Sequence, residues 1–128
     1  MSKILLTDDD RTIVTLLSTL LKMEGFEVIV SSSSGESILT MARDVRPDIA
    51  LLDVFLGDDN GIDLVRKFRN MPEFANLKII MTSGMELSTE CRAAGADDFL
   101  LKPYMPEELI LKLKLLAGHF GGQVDSHP

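Results

Sequence analysis

The chain predicts an α/β fold built on a parallel sheet, and three observations carry that expectation. Five short apolar runs recur, each is followed by a segment able to form a helix, and several runs are continuously apolar rather than alternating. Strands covered by helices on both faces read this way, whereas a strand with one wet face alternates. Strand and helix alternating five times imply right-handed crossovers within one layered domain.

The first run is Lys3–Thr7 (KILLT). After it, Ile13, Val14, Leu16, Leu17, Leu20 and Leu21 repeat at spacings of three and four, which is one apolar helix stripe, and Gly25 closes that helix. The second run, Glu27–Ser31 (EVIVS), turns through Ser31–Ser34 into a helix over about Glu36–Asp44 that Pro47 stops. The third, Asp48–Leu52 (DIALL), leads through the turn-forming group Gly57-Asp58-Asp59-Asn60-Gly61 to a helix from Ile62 to about Asn70.

Lys78–Ser83 (KIIMTS) precedes a short helix near Ser88–Ala94, ended by Gly95. Asp98–Leu101 (DFLL) precedes the last helix, which starts at Pro106. Proline suits a first helical turn, and Glu107 and Glu108 favour the positive helix end. Leu109, Ile110, Leu113 and Leu116 give this helix its buried face. Residues 1–118 thus read as one domain, with residues 119–128 as a frayed tail or the start of a linker.

Composition narrows the function. Thirteen Lys and Arg against 20 Asp and Glu give a net charge of −7, while 45% hydrophobic residues support a folded core rather than a disordered acidic chain. Duplex binding needs clustered cations, and no basic run occurs, so nucleic acid is not expected as a partner. Cys91 is the single cysteine and excludes an internal disulfide. No signal-peptide pattern opens the chain, and no apolar stretch approaches the roughly 20 residues that span a bilayer. A soluble protein of the cytoplasm is expected, with no membrane association.

The chemistry-bearing residues gather at strand ends. Ligands of open parallel sheets bind beyond the carboxyl ends of the strands. There the first strand runs into Asp8-Asp9-Asp10, the third ends at Asp53, the fourth at Ser83, and the fifth runs into Lys102-Pro103. Carboxylates brought that close repel and raise one another's pKa, so a positive group must offset them. A hard divalent cation with oxygen ligands suits, and Mg²⁺ binds through one or two carboxylates plus phosphate oxygens. Capping of the first helix accounts for one aspartate of the triplet, Asp10 above all, but not for Asp53.

Taken in order, ILLTDDD, IALLDVFLGDDNG, IIMTSG and GADDFLLKP closely resemble the receiver domain of bacterial response regulators, the CheY-like group, over about Ser2–Gly118. The resemblance implies a flavodoxin-like, doubly wound, five-stranded parallel sheet of order 2-1-3-4-5 in a three-layer (βα)5 sandwich. It implies that Asp53 accepts a phosphoryl group, that Asp8 and Asp9 hold Mg²⁺ with Asp53 and the Phe55 backbone carbonyl, and that Ser83 contacts the phosphoryl group. Thr82, next to Ser83, is the alternative for that contact. Lys102 pairs with the phosphoaspartate, Ser83 and Phe99 form the switch, and the Lys102–Pro103 peptide is cis.

As partners the resemblance implies a sensor histidine kinase or histidine phosphotransfer protein and, downstream, a protein target or a fused output domain. It is a phospho-accepting signalling domain, with self-catalysed phosphotransfer and autodephosphorylation only, rather than an enzyme. His119 and His127, the only histidines, lie in or beside the tail, so the phosphoryl donor is another protein.

The chain departs from the family's pattern in places. Gly57 stands where proline is common, which implies a more mobile loop. The interval from Ser83 to Lys102 is three residues shorter than usual, which implies a shortened or displaced fourth helix. Phe55 and Met85 flank the site with apolar side chains that cannot orient an attacking water, so slow autodephosphorylation is expected.

Four other readings compete. Asp8-x-Asp10-x-Thr12 looks like the nucleophile motif of haloacid-dehalogenase-type phosphatases, with Asp97 and Asp98 as metal ligands, but the pair precedes Lys102 and Asp53 is left without a role. A flavin-mononucleotide module needs a phosphate cradle where three aspartates stand. A receiver-shaped interaction module without phosphorylation shares every feature of the fold. An EF-hand fails at once, because Leu56 and Lys67 fill the first and twelfth loop positions.

Overall fold

The computed structural model describes residues 2–8, 10–31 and 34–118. Its elements are β1 (Lys3–Leu6), α1 (Arg11–Met23), β2 (Glu27–Val30), α2 (Gly35–Val45), β3 (Ile49–Asp53), β4 (Phe55–Leu56), β5 (Asp59–Asn60), α3 (Gly61–Arg69), a 3-10 turn at Pro72–Phe74, β6 (Lys78–Ser83), α4 (Ser88–Ala94), β7 (Asp98–Leu101) and α5 (Pro106–Ala117). The main sheet is parallel with order β2-β1-β3-β6-β7. With the small β4–β5 hairpin set aside, this is the predicted 2-1-3-4-5 order.

Successive strand residues face opposite sides, which explains the continuous apolar runs. Ile4, Leu6, Ile49, Leu51, Ile80 and Leu100 pack against Leu17 and Leu21 of α1 and Leu109 and Leu113 of α5. The alternate residues Leu5, Ala50, Leu52, Ile79, Met81 and Phe99 pack against Ile38 of α2, Leu64, Val65 and Phe68 of α3, and Cys91 of α4. Each fully buried Leu, Ile or Phe contributes about 1.5–3 kcal/mol relative to exposure.

The helix starts follow local chemistry. Asp10 caps α1, accepting from Thr12 N at 2.9 Å and Ile13 N at 3.3 Å. Asn60 caps α3 through Ile62 N at 2.8 Å. Gly25 and Gly95 follow α1 and α4 with φ of 95° and 118°, a region open to glycine. The fourth helix has only 7 residues, as the short Ser83–Lys102 interval implies.

Two features go beyond the sequence reading. The turn group around Gly57 forms the antiparallel β4–β5 hairpin, with Gly57 at φ 60°. Arg69, at the end of α3, stitches four segments together: its guanidinium donates to Gly95 O at 2.9 Å, Leu77 O at 2.8 Å and Phe74 O at 3.2 Å, and pairs with Asp97 at 3.0 Å. The expected tail at residues 119–128 lies outside the described residues.

Candidate functional site

The site lies at the carboxyl ends of β1, β3, β6 and β7, beside the point where chain order reverses between β1 and β3. Parity assembles it. Asp8, Asp53, Thr82 and Lys102 each stand two residues beyond a member of the α1/α5-side core, namely Leu6, Leu51, Ile80 and Leu100.

The contacts follow that placement. Lys102 Nζ lies 2.9 Å from Asp53 Oδ1 and 3.2 Å from Asp8 Oδ2, and both carboxylate side chains are 8% exposed. The Thr82 hydroxyl donates to the same Oδ1 of Asp53. Its Cα partner across the ladder is Asp53 itself, so the two side chains share a face. The Lys102–Pro103 peptide is cis.

Ser83, one residue on, falls on the opposite parity and does not touch Asp53 in this way. Its Oγ instead accepts from Met85 N at 3.0 Å, which shapes the loop into α4. Phe99 is already packed inside, 7% exposed, in the cluster that holds Met81 and Cys91. Asp9 lies outside the described residues, as does any contact it makes.

Electrostatics at the site are unbalanced. Burial is the main cause that raises the Asp53 carboxyl above its ordinary value; Thr82 and Lys102 oppose it, and the charge of Asp8 adds to it. Burial also works against the Lys102 ammonium, but the hydrogen bonds and charges of Asp53 and Asp8 outweigh it and hold that group above its usual value. Two buried carboxylates therefore share one ammonium, and the pocket carries a net negative charge. All acceptors there are oxygens, the donor chemistry of a hard divalent cation. Among the described residues no three His, Cys, Asp or Glu gather as a metal cluster; the residues that fit are Asp8 and Asp53, with Asp9 the next in sequence.

A cavity of about 400 Å³ opens beside Asp8 and Lys102, walled by Ile13, Leu16, Leu17, Pro103 and Tyr104. Burial, then the charge of Asp8, pushes the Tyr104 hydroxyl up to about 12, so it stays protonated at neutral pH. Nothing in the apolar periodicity pointed to this hollow, because Tyr104 lies in a loop.

Asp97 and Asp98, the metal ligands of the phosphatase reading, are engaged elsewhere. Asp97 accepts from Ile79 N at 2.8 Å and pairs with Arg69. Asp98 opens β7 and pairs with Arg92 and Lys112.

The family model for the response regulator receiver domain matches residues 4–114, and this chain belongs to that family, the signalling domain of two-component systems. It is 34% identical over 115 residues to the DNA-binding response regulator MtrA of Mycobacterium tuberculosis (strain H37Rv), covering 88% of this chain and 49% of MtrA. To the transcriptional regulatory protein CpxR of Escherichia coli (strain K12) it is 39% identical over 117 residues, covering 91% of this chain and 49% of CpxR. The chain spans about half the length of the curated relatives it matches.

Among solved structures, the chemotaxis response regulator CheY4 of Vibrio cholerae superposes with a TM-score of 0.81 at 30% identity, over 91% of this chain and 98% of that one. The CheY-like receiver domain protein of Methanospirillum hungatei gives 0.82 at 29% identity, over 95% and 98%. No helix among the described residues is long and apolar enough to cross a membrane.

Proposed function

We propose that this receiver accepts a phosphoryl group on Asp53 from a phosphohistidine of a sensor kinase or histidine phosphotransfer protein, in the cytoplasm, and passes the change to a protein target or a fused output domain. The carrying observation is the bridge from Lys102 Nζ to Asp53 at 2.9 Å and to Asp8 at 3.2 Å, inside a pocket that remains net negative.

Asp53 supplies the nucleophile. A carboxylate oxygen forms a bond to phosphorus while the P–N bond of the donor breaks, and the imidazole leaves with a proton from solvent. Alignment and charge neutralisation, rather than acid–base chemistry, set the rate of such a transfer. Lys102 stands ready to neutralise one phosphoryl oxygen. Thr82, the alternative to Ser83 for this role, shares a face with Asp53 and already donates to it, so its hydroxyl is the one placed to reach another.

Asp8, Asp9, Asp53 and the Phe55 carbonyl would hold Mg²⁺, which when bound offsets the charge between an anionic nucleophile and an anionic donor. Asp10 is committed to the α1 cap. The apolar hollow beside Lys102 supports docking of a donor protein next to the acceptor.

Once a phosphoryl group draws on the hydroxyl at this strand end, Thr82 with Ser83 beside it, the loop held by Ser83 and Met85 N and the ring of Phe99 form a two-state element that one added charged group biases. The buried packing of Phe99 supports reading its ring as the moving part.

The test is phosphotransfer from a phosphohistidine-bearing kinase fragment. Radiolabel should move to the wild-type chain and not to Asp53→Asn. Transfer to both proteins, or control of the downstream partner unchanged by Asp53→Asn, would favour an interaction module that works without phosphorylation.

A further inference from the structure

The hollow beside Lys102 reaches the acceptor pocket through Asp8 and Lys102, and its charged walls are already engaged. Asp8 accepts from Asp10 N at 2.9 Å through Oδ1 and meets Lys102 through Oδ2. Asp10 caps the start of α1, and Lys102 is shared between Asp8 and Asp53. The remaining walls are apolar except for one hydroxyl, that of Tyr104.

The Tyr104 ring packs against the core on the α1/α5 side of the sheet. Its hydroxyl responds to the charges of Asp8, Lys102 and Asp53, so it lies near the acceptor, yet among the described residues it takes no hydrogen bond. With its pKa pushed up to about 12, it is a donor at neutral pH and not a base. A tyrosine hydroxyl withdrawn from water usually finds a partner. The walls offer this one no free acceptor, so a ligand must bring it.

A phosphorylated imidazole brings an acceptor only while it reacts. The nitrogen bound to phosphorus has its lone pair spread into the ring and accepts no hydrogen bond. As the P–N bond breaks, the bonding pair returns to that nitrogen and makes it a strong acceptor. A hydrogen bond that forms only then stabilises the transition state and not the ground state.

We propose that the Tyr104 hydroxyl donates to the leaving nitrogen of a phosphoimidazole-type donor seated in this hollow, and so favours nitrogen over oxygen leaving groups. The inference rests on Asp53 being the phosphoryl acceptor. In the step, a carboxylate oxygen of Asp53 forms the O–P bond, the P–N bond breaks, and its electron pair stays on the imidazole nitrogen. Solvent supplies the proton that the nitrogen finally carries, and Tyr104 retains its own. With an acyl phosphate, the P–O electron pair leaves on a weakly basic carboxylate, which gains little from such a donor.

The experiment treats the full chain with Mg²⁺ and either phosphoimidazole or acetyl phosphate. Added phosphate is followed by intact mass across donor concentrations, with the modified residue mapped and a thermal melt for each variant. Tyr104→Phe keeps the ring and removes the hydroxyl. It should lower the ratio of the phosphoimidazole rate to the acetyl phosphate rate, both at saturation, roughly fivefold. Tyr104→Leu, a second hydroxyl-free variant, should lower that ratio to the same degree.

A folded Tyr104→Phe or Tyr104→Leu protein that keeps the wild-type ratio, whether both rates hold or both fall, overturns the inference and leaves Asp53 as acceptor. So does wild-type protein that is phosphorylated at Asp53 by acetyl phosphate but not by phosphoimidazole. Wild-type protein that takes phosphate from neither donor, or away from residue 53, removes the functional reading and the inference together.

Discussion

The ammonium of Lys102 stands 2.9 Å from Oδ1 of Asp53, across the ends of β7 and β3. That single contact does not balance the site, because Asp8 lies 3.2 Å from the same nitrogen and all three groups are withdrawn from water to differing degrees. Burial leads in raising the Asp53 carboxyl. A carboxyl raised on folding destabilises the native state when ionised. That cost is felt in full above its folded pKa and is relieved as pH falls through it. Asp53→Asn should therefore melt about 2–6 °C higher than wild type at neutral pH, with the gap narrowing in acid. Thermal melts across pH check this, and a lower melting temperature for Asp53→Asn at neutral pH contradicts it.

Asp98 behaves in the opposite sense. Burial works against its charge, but Lys112 Nζ at 2.9 Å, Phe99 N at 2.8 Å and Arg92 at 3.0 Å outweigh it and hold the carboxyl below its ordinary value. Its stabilising contribution is present above the unfolded value near 4 and is lost as pH falls through the folded one. Asp98→Asn should cost about 1 kcal/mol at neutral pH, measured by denaturant unfolding, and nothing at a pH below both values.

Gly61 has no room for a side chain. A Cβ there would stand 2.1 Å from the Asp53 carbonyl oxygen, while Gly61 N donates to Val54 O at 2.6 Å. Gly61→Ala should cost about 3 kcal/mol and slow phosphorylation, since the strain falls on the acceptor's own backbone. Wild-type stability in a chemical melt would show that the hairpin yields freely.

Phe55 and Met85 are 54% and 58% exposed, and neither can hydrogen-bond a water. The phosphorylated state should persist for minutes or longer without a phosphatase, and Phe55→Asn should shorten it. A wild-type lifetime of seconds, followed by loss of label, rejects this account of the two side chains.

Much of the fold and most of the site were legible because they rest on periodicity. Ile4, Ile49 and Ile80 announced covered strands, and Asp53 and Lys102 stood out as polar residues ending apolar runs. The contact from Thr82 was legible only by counting parity from Ile80, and a count anchored on strand ends alone prefers Ser83. The β4–β5 hairpin was hidden because two-residue strands carry no period. Arg69 was hidden because its partners are backbone carbonyls scattered over three segments, which no spacing rule records.

The most direct measurement is to treat the chain with acetyl phosphate and Mg²⁺, reduce any acyl phosphate with borohydride, and sequence the product by mass spectrometry. A phosphoryl group on Asp53 is converted to homoserine at position 53, and that product is expected in wild type and absent from Asp53→Asn. Unmodified aspartate at 53, or homoserine at another position, would contradict the account.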